Sequence, residues 1–367
     1  MKNIGFVGCG AISGIYLKNI TSLFKDIKIT GVCDLIYERA EKAAKEYGIK
    51  TVYKDMHELF ADPQVDIVLN LTRPYEHYDV SIAALTAGKH LYTEKPLGAS
   101  YDEATKIMAL AKEKDLYVAG APDTFLGAGL QTCRKLIDEG AVGEIFGASA
   151  YMVCRGHESW HPDPEFYYKY GGGPMLDMGP YYLTALVSLL GAVKTVTGMT
   201  KISLAERTIT SQPKNGTVVK VDVPTYVTGI MNFKNGAIGT IFTTFDVHTA
   251  QVPRIEIYGS EGTLCVPDPN YFDGPVRLFT SETNEFVKKP LQFEYPENSR
   301  GLGLTDMAKA IEANRSARAS GELLLHVNEI MTGFHKASDE QSFINMQTTV
   351  ERPEPMVIPK IKGIFDN

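Results

Sequence analysis

The chain has 367 residues, 44% of them hydrophobic, and a formal net charge of −7. This length exceeds what one ordinary core accommodates and implies two domains, and the acidic balance argues against nucleic acid or an anionic membrane as partner. No apolar run reaches the ~18 residues that span a bilayer, and the five cysteines lack a Cys-x-x-Cys pair, so the expected setting is a reducing cytoplasm without a disulfide framework. Met1-Lys2-Asn3 leads directly into a strand, and no signal peptide is expected.

The first ~120 residues alternate strand and helix patterns. Apolar strands are expected at 4–7, 27–33, 65–71, 90–93 and 116–119. Helical spacing separates them at 12–24, 38–47, 75–87 and 100–114, with Gly48 and Gly88 as stops. This alternation predicts an α/β fold, a Rossmann-type doubly wound parallel sheet over residues 1–122. The pattern changes after Gly120-Ala121-Pro122. A helix at about 125–139 precedes a strand at 144–155, and a loop rich in Gly, Pro, His and Tyr covers 156–174. A single helix is expected over 176–190, then strands at 193–202, 225–233, 237–246, 254–258 and 262–266, with Asn235-Gly236 as a hairpin signal. Helical patterns return at 303–314 and 322–336. Residues 123–367 therefore read as an α+β domain with an open, largely antiparallel sheet.

Gly8-Cys9-Gly10-Ala11-Ile12-Ser13 follows the first strand and opens a helix, matching G-x-G-x-x-G with a small Ser13 in third place. Gly8 permits the tight turn and Gly10 lets the backbone approach a pyrophosphate. Ala11 and Ile12 bring amides of the helix N-terminus. Asp34 ends the second strand, where a carboxylate accepts hydrogen bonds from a ribose diol and repels a 2′-phosphate. Leu35 and Ile36 offer no cation for such a phosphate; Arg39, a charge on the following helix, is the one candidate. NAD is thus favoured, with NADP as the alternative. Glu94-Lys95-Pro96 ends a later strand of the same sheet, where the reactive ring of a dinucleotide is expected.

These residues resemble the Gfo/Idh/MocA family (glucose-fructose oxidoreductase and inositol dehydrogenase) over nearly the whole chain. The resemblance runs through Gly8-Cys9-Gly10, Thr72-Arg73-Pro74-Tyr75-Glu76-His77, Gly88-Lys89-His90, Glu94-Lys95-Pro96 and Gly171-Gly172-Gly173-Pro174-Met175-Leu176-Asp177-Met178-Gly179-Pro180-Tyr181. It reaches Thr305-Asp306-Met307-Ala308 and Arg318-Ala319-Ser320-Gly321-Glu322. It implies a dinucleotide held by the first domain, with Thr72, Pro74, His77, Glu94 and Lys95 added to the cofactor set. It further implies sugar, inositol or polyol substrates, and a second-domain sheet that pairs subunits into a homodimer or homotetramer. Many members carry Asp-x-Gly-x-His; here tyrosine stands in the last place, as in the glucose-fructose oxidoreductase, xylose dehydrogenase and dihydrodiol dehydrogenase branches.

Oxidising an alcohol requires a hydride to leave carbon and a proton to leave oxygen. A free tyrosine, with a pKa of about 10, is a poor base at neutral pH, and a neighbouring ammonium favours its phenolate. Lys95 and Tyr181 are therefore expected to carry the proton transfer as a pair, with Tyr181 rather than His161 as the immediate acid/base. Asp177, four residues before Tyr181, would share its helical face. His157-Glu158-Ser159-Trp160-His161 spells H-E-x-x-H, which binds zinc only from a helix. Gly156, Pro162 and Pro164 argue for a loop instead, so no metal is expected. In that flexible-looking loop, Trp160 and His161 are candidate substrate contacts. A histidine placed as His77 is, at the start of the helix after Pro74, is more often a capping or packing residue than a ligand. The expected activity is hydride transfer between nicotinamide and a sugar or polyol. An NAD-dependent glycosidase and a cofactor-binding sensor are the alternatives.

Overall fold

The computed structural model describes residues 1–365. It divides into two compact units. The first comprises Met1–Gly127 together with Phe293–Leu325 and the segment from Pro353 onward. Its elements are β1 (Lys2–Val7), α1 (Ser13–Ser22), β2 (Ile27–Cys33), α2 (Tyr37–Tyr47), β3 (Thr51–Val52), α3 (Met56–Ala61), β4 (Ile67–Asn70), α4 (His77–Thr86), β5 (His90–Thr93), α5 (Tyr101–Glu113) and β6 (Val118–Gly120). The strands form one parallel sheet in the order β3-β2-β1-β4-β5-β6. The order reverses beside β1, so the carboxyl ends of β1 and β4 flank a crevice that suits a ligand. β4 is buried at every position, as a strand covered on both faces must be. Helix ends follow local chemistry. Gly48 takes a left-handed φ of 69° and closes α2 onto the Ala44 carbonyl, and Ser100 accepts from the Glu103 amide to start α5. β3 and α3 were not expected. The helix starts at Asp55, whose side chain accepts from the amides of His57 and Glu58.

The single boundary expected after residue 122 does not describe the chain. The segment 293–325 belongs to the first unit because its polar ends are bonded there. Asp123 Oδ2 accepts from the amides of Gly301 (2.9 Å) and Gly303 (3.0 Å), at the start of α9 (Leu302–Ala313). The Gly120 amide donates to the Ala319 carbonyl. The tail is fixed by the Phe365 amide on Asp26 and the Gly363 amide on the Tyr295 hydroxyl.

The second unit comprises Ala128–Gln292 and His326–Arg352. It contains α6 (Ala128–Asp138), β7 (Ile145–Val153), α7 (Pro174–Asp177), α8 (Gly179–Leu190), β8 (Val193–Lys201), β9 (Glu206–Thr208), β10 (Val218–Lys220), β11 (Tyr226–Phe233), β12 (Ile238–Thr244), β13 (Ile255–Gly259), β14 (Gly262–Val266), β15 (Val276–Thr280), β16 (Phe286–Lys289), most of α10 (Gly321–Glu340) and β17 (Ile344–Asn345). Nine strands form one sheet in the order β16-β15-β14-β13-β7-β12-β11-β8-β17; β9 and β10 pair apart from it. All its pairings are antiparallel except β7 with β12. β11 alternates strictly, with Val227, Gly229, Met231 and Phe233 buried and Thr228, Ile230 and Asn232 exposed. One face is thus packed and the other open. On the packed face Phe334 of α10 lies so close to Gly229 that a Cβ there would come within 2.3 Å of its ring.

The helix expected over 176–190 is broken. α7 ends at Asp177, and Met178 separates it from α8. Pro180 has no amide to close onto the carbonyl four residues back, and it disfavours helical geometry in the residue before it. Asp177 and Tyr181 therefore do not share one face of a continuous helix. The Tyr181 amide instead donates to the Met178 carbonyl at 3.1 Å.

Candidate active site

In the first unit the expected cofactor residues gather at the carboxyl ends of β1, β2, β4 and β5. Gly8 adopts a φ of 96°, and a Cβ on it would lie 2.8 Å from the Leu71 carbonyl oxygen, so both conformation and space require glycine. A Cβ on Gly10 would meet nothing within 4 Å, which leaves the turn open on its outer side. Ser13 is buried and its hydroxyl donates to the Gly10 carbonyl at 2.7 Å. The amides of Gly10, Ala11 and Ile12 have no protein acceptor among the described residues, so the start of α1 presents donors and the positive end of the helix dipole to an anion. Asp34 ties the turn together: Oδ2 accepts from the Cys9 amide and Oδ1 from the Ile36 amide, both at 2.7 Å. Each oxygen keeps a further lone pair for a hydroxyl. Leu35 and Arg39 are exposed beside it.

The ends of β4 and β5 are locked to each other. The Thr72 hydroxyl donates to Asn70 Oδ1 at 2.6 Å, and Asn70 Nδ2 donates to the His77 carbonyl at 3.2 Å. Pro74 opens a single 3-10 turn that leads into α4. His77 is 1% exposed, with Nδ1 2.7 Å from the Pro96 carbonyl and Nε2 3.0 Å from the Thr72 carbonyl. Burial lowers its pKa, against the pull of those two carbonyls. His77 thus bridges the segment after β4 to the Glu94-Lys95-Pro96 turn and is sealed beneath it, so it holds this edge from inside. Glu94 is buried as well: its Oε1 accepts from the Tyr16 hydroxyl of α1 at 2.8 Å and its Oε2 from the Lys95 amide at 3.1 Å. The backbone of Lys95 is thereby tied to the helix that begins at the glycine turn. Asn70 and Tyr16 were missed in the sequence. Their only signal there is a polar atom at the end of an apolar strand and on the inner face of a helix.

The second unit brings Asp177 together with the 156–174 loop, but through a residue the sequence reading did not select. His157 Nε2 lies 3.4 Å from Asp177 Oδ2. The His157 ring packs on Tyr167 at 3.9 Å between centroids, on Phe245 at 4.7 Å and on Trp160 at 5.3 Å. Trp160 is 61% exposed. His161 Nδ1 accepts from the Asp163 amide at 3.0 Å; burial, then the nearby His157, lower its pKa against the pull of Asp163 and Asp177. Tyr181 is buried in α8.

The loop is tied down rather than loose. Buried Arg207 of β9 donates to Glu158 at 2.8 Å, to the Arg155 carbonyl at 3.2 Å, to the Phe245 carbonyl at 2.9 Å and to Asp246. The Glu158 carbonyl accepts from the amides of Thr210 and Ser211, each at 2.9 Å. The H-E-x-x-H stretch is one turn of loop closed by the amides of Trp160 and His161 on the His157 carbonyl. Its glutamate is committed to Arg207 and its first histidine to Asp177.

A glycine turn opening a helix, unpartnered amides at its start and a carboxylate closing the second strand define a dinucleotide-binding oxidoreductase scaffold. The chain belongs to the GFO/IDH/MocA family: residues 2–120 match its model of an oxidoreductase, NAD-binding Rossmann fold, and residues 130–265 match its C-terminal domain. Among similar proteins, myo-inositol 2-dehydrogenase of Thermotoga maritima is 25% identical over 262 residues, covering 71% of this chain and 74% of that protein. D-glucoside 3-dehydrogenase of Escherichia coli is 24% identical over 295 residues, 77% of this chain and 82% of that protein. A levoglucosan dehydrogenase solved with NADH and levoglucosan shares the fold with a TM-score of 0.78 at 22% identity, over 94% of this chain and 99% of that chain.

Proposed function

We propose that the protein transfers a hydride between NAD and a secondary hydroxyl or carbonyl of a sugar, inositol or related polyol. The observation that carries this is Asp34, set at the glycine turn, in one sheet with Lys95 at the end of β5. The relatives named for inositol, glucoside and levoglucosan substrates support the substrate class. Bound NAD supplies the hydride acceptor. The amides of residues 10–12 hold the pyrophosphate, Asp34 accepts from the ribose diol, and the Thr72–Pro74 segment and Glu94 wall the crevice, with His77 buttressing it from beneath. Lys95, Asp177 and Tyr181 are the catalytic groups: the Lys95 ammonium polarises the reacting oxygen, the Tyr181 hydroxyl hydrogen-bonds to it, and Asp177 orients a proton-transfer group. Trp160 and His161 contact the sugar from the loop, the indole facing its C–H surface.

The second-unit sheet supports assembly into a homodimer or homotetramer. Its open face carries Met199, Ile230 and Ile238 at 72%, 48% and 58% exposure, on adjoining strands. Five free cysteines support a reducing, cytoplasmic setting. The direct experiment is a panel of sugars, inositols and polyols with NAD+, followed at 340 nm. Reduction of NAD+ by at least one of them is expected, with loss of turnover in Lys95→Ala. Tight NADH binding with no oxidation across the panel, and no reduction of the corresponding carbonyls, refutes the reading.

A further inference from the structure

We propose that His157, held by Asp177, is the group that takes the hydroxyl proton, so that the basic histidine of this site comes from the loop rather than from the helix position that Tyr181 occupies. This rests on the oxidoreductase function above. A carboxylate only accepts, so the 3.4 Å contact puts a proton on His157 Nε2. Nδ1 then carries the lone pair, and it has no protein partner among the described residues. The ring is fixed on three sides by Tyr167, Phe245 and Trp160, and its backbone amide points at the Tyr168 hydroxyl at 3.4 Å. The pair is removed from water, the side chains being 10% and 13% exposed. A carboxylate that holds one imidazole nitrogen and leaves the other free is the arrangement that orients a histidine as a base and stabilises the cation it becomes. Catalytic hydrogen bonds are often this long before substrate tightens them.

The other charged groups around the ring are accounted for. Glu158 and Asp246 are both paired with Arg207 behind Gly156, Tyr167 and Tyr168 lie on the turn after Pro164, and His161 is turned to the Asp163 amide. Among the described residues, Asp177 is the one carboxylate hydrogen-bonded to the His157 ring. In the oxidation, the O–H bond breaks and its proton passes to Nδ1. The electron pair left on oxygen becomes the carbonyl π bond as the hydride departs from carbon. The imidazolium, neutralised by Asp177, returns the proton to solvent.

The test uses the whole protein with NAD and a substrate found in the panel. Wild-type kcat/KM should carry an acid limb, the signature of an essential base. His157→Gln should lose that limb and about 10²–10⁴ in kcat with NADH affinity unchanged, and added imidazole should restore turnover to His157→Ala. Tyr181→Phe should lower kcat but keep the limb. An acid limb that persists in His157→Gln or vanishes in Tyr181→Phe overturns the assignment while leaving the oxidoreductase function standing. A wild type with no turnover overturns both. Independently of activity, the nitrogen-15 shifts of His157, assigned by its loss in His157→Gln, should report the Nε2–H tautomer. An Nδ1–H tautomer that does not change in Asp177→Asn overturns the proposal.

Discussion

Asp123 offers a quantitative test of how the first unit is held together. Its carboxyl is 1% exposed and takes two amides on one oxygen at the start of α9. Burial pushes its pKa up to about 6, against the lowering effect of those amides and of Arg300, and with a further push from Glu94. The rise from the ordinary 3.8 is about two units, or about 3 kcal/mol. The sign follows from linkage. The folded protein binds this proton more tightly than the unfolded chain, so the contribution is fully present below about pH 4 and is lost as pH rises through about 6. Asp123→Asn keeps an oxygen for the Gly301 and Gly303 amides and removes the charge. Its stability relative to wild type should therefore climb by about 3 kcal/mol between pH 4 and pH 7.5. Urea unfolding of both proteins at four pH values across that window, read at the transition of the first unit, measures the climb. A difference that stays constant with pH, or moves the other way, would show that the helix dipole and amides outweigh burial and would refute the reasoning. Asp123→Ala should be less stable than Asp123→Asn at every pH, because it leaves both amides without an acceptor.

Asp34→Ala should weaken NADH binding by about 10–100-fold, the worth of a charge-assisted hydrogen bond pair, while NADPH loses little; wild-type preference for NADPH by calorimetry would refute Asp34 as the selector and bring Arg39 forward. Lys95→Ala should cut kcat by about 10²–10⁴ with NADH affinity near normal, measured by steady-state kinetics and fluorescence titration. Arg207→Met should destabilise the second unit by about 3–5 kcal/mol, because Glu158 and Asp246 are left as buried charges without their partner; a thermal midpoint unchanged from wild type would refute this. Light scattering at micromolar concentration should give a dimer or tetramer, and Ile230→Asp should shift it toward monomer; a monomeric wild type would refute pairing through the open sheet face.

Local periodicity carried much of the fold. The parallel strands, the helices between them and the antiparallel run after residue 190 were legible because burial on two faces, on one stripe or on alternate residues each leaves a different spacing. β3 and α3 escaped because two strand residues and six helical ones are too few for a period, although Asp55-Met56-His57-Glu58 carried a helix-start signal. β15 and the edge strand β16 escaped because Val276–Thr280 and Phe286–Lys289 are short and set charged residues among apolar ones.

The site divides along the same physical line. The places of Gly8, Gly10, Asp34 and Lys95 at the strand ends were legible because each depends on its position relative to the end of one strand, which the chain itself spaces out. What no spacing encodes is which loop atom meets which helix atom. His157 stands twenty residues before Asp177, and the two meet through a loop that Arg207 anchors and on which Tyr167 and Phe245 pack. Asp123 reaches Gly301 across 178 residues of chain, and that bond, with its neighbours, decides that segment 293–325 completes the first unit. Sequence alone determined the glycine turn between β1 and α1 and the classes of the layers; only the tertiary structure decided the partners of the buried charges, because a buried charge is satisfied by whatever the fold brings to it and not by what stands next to it in the chain.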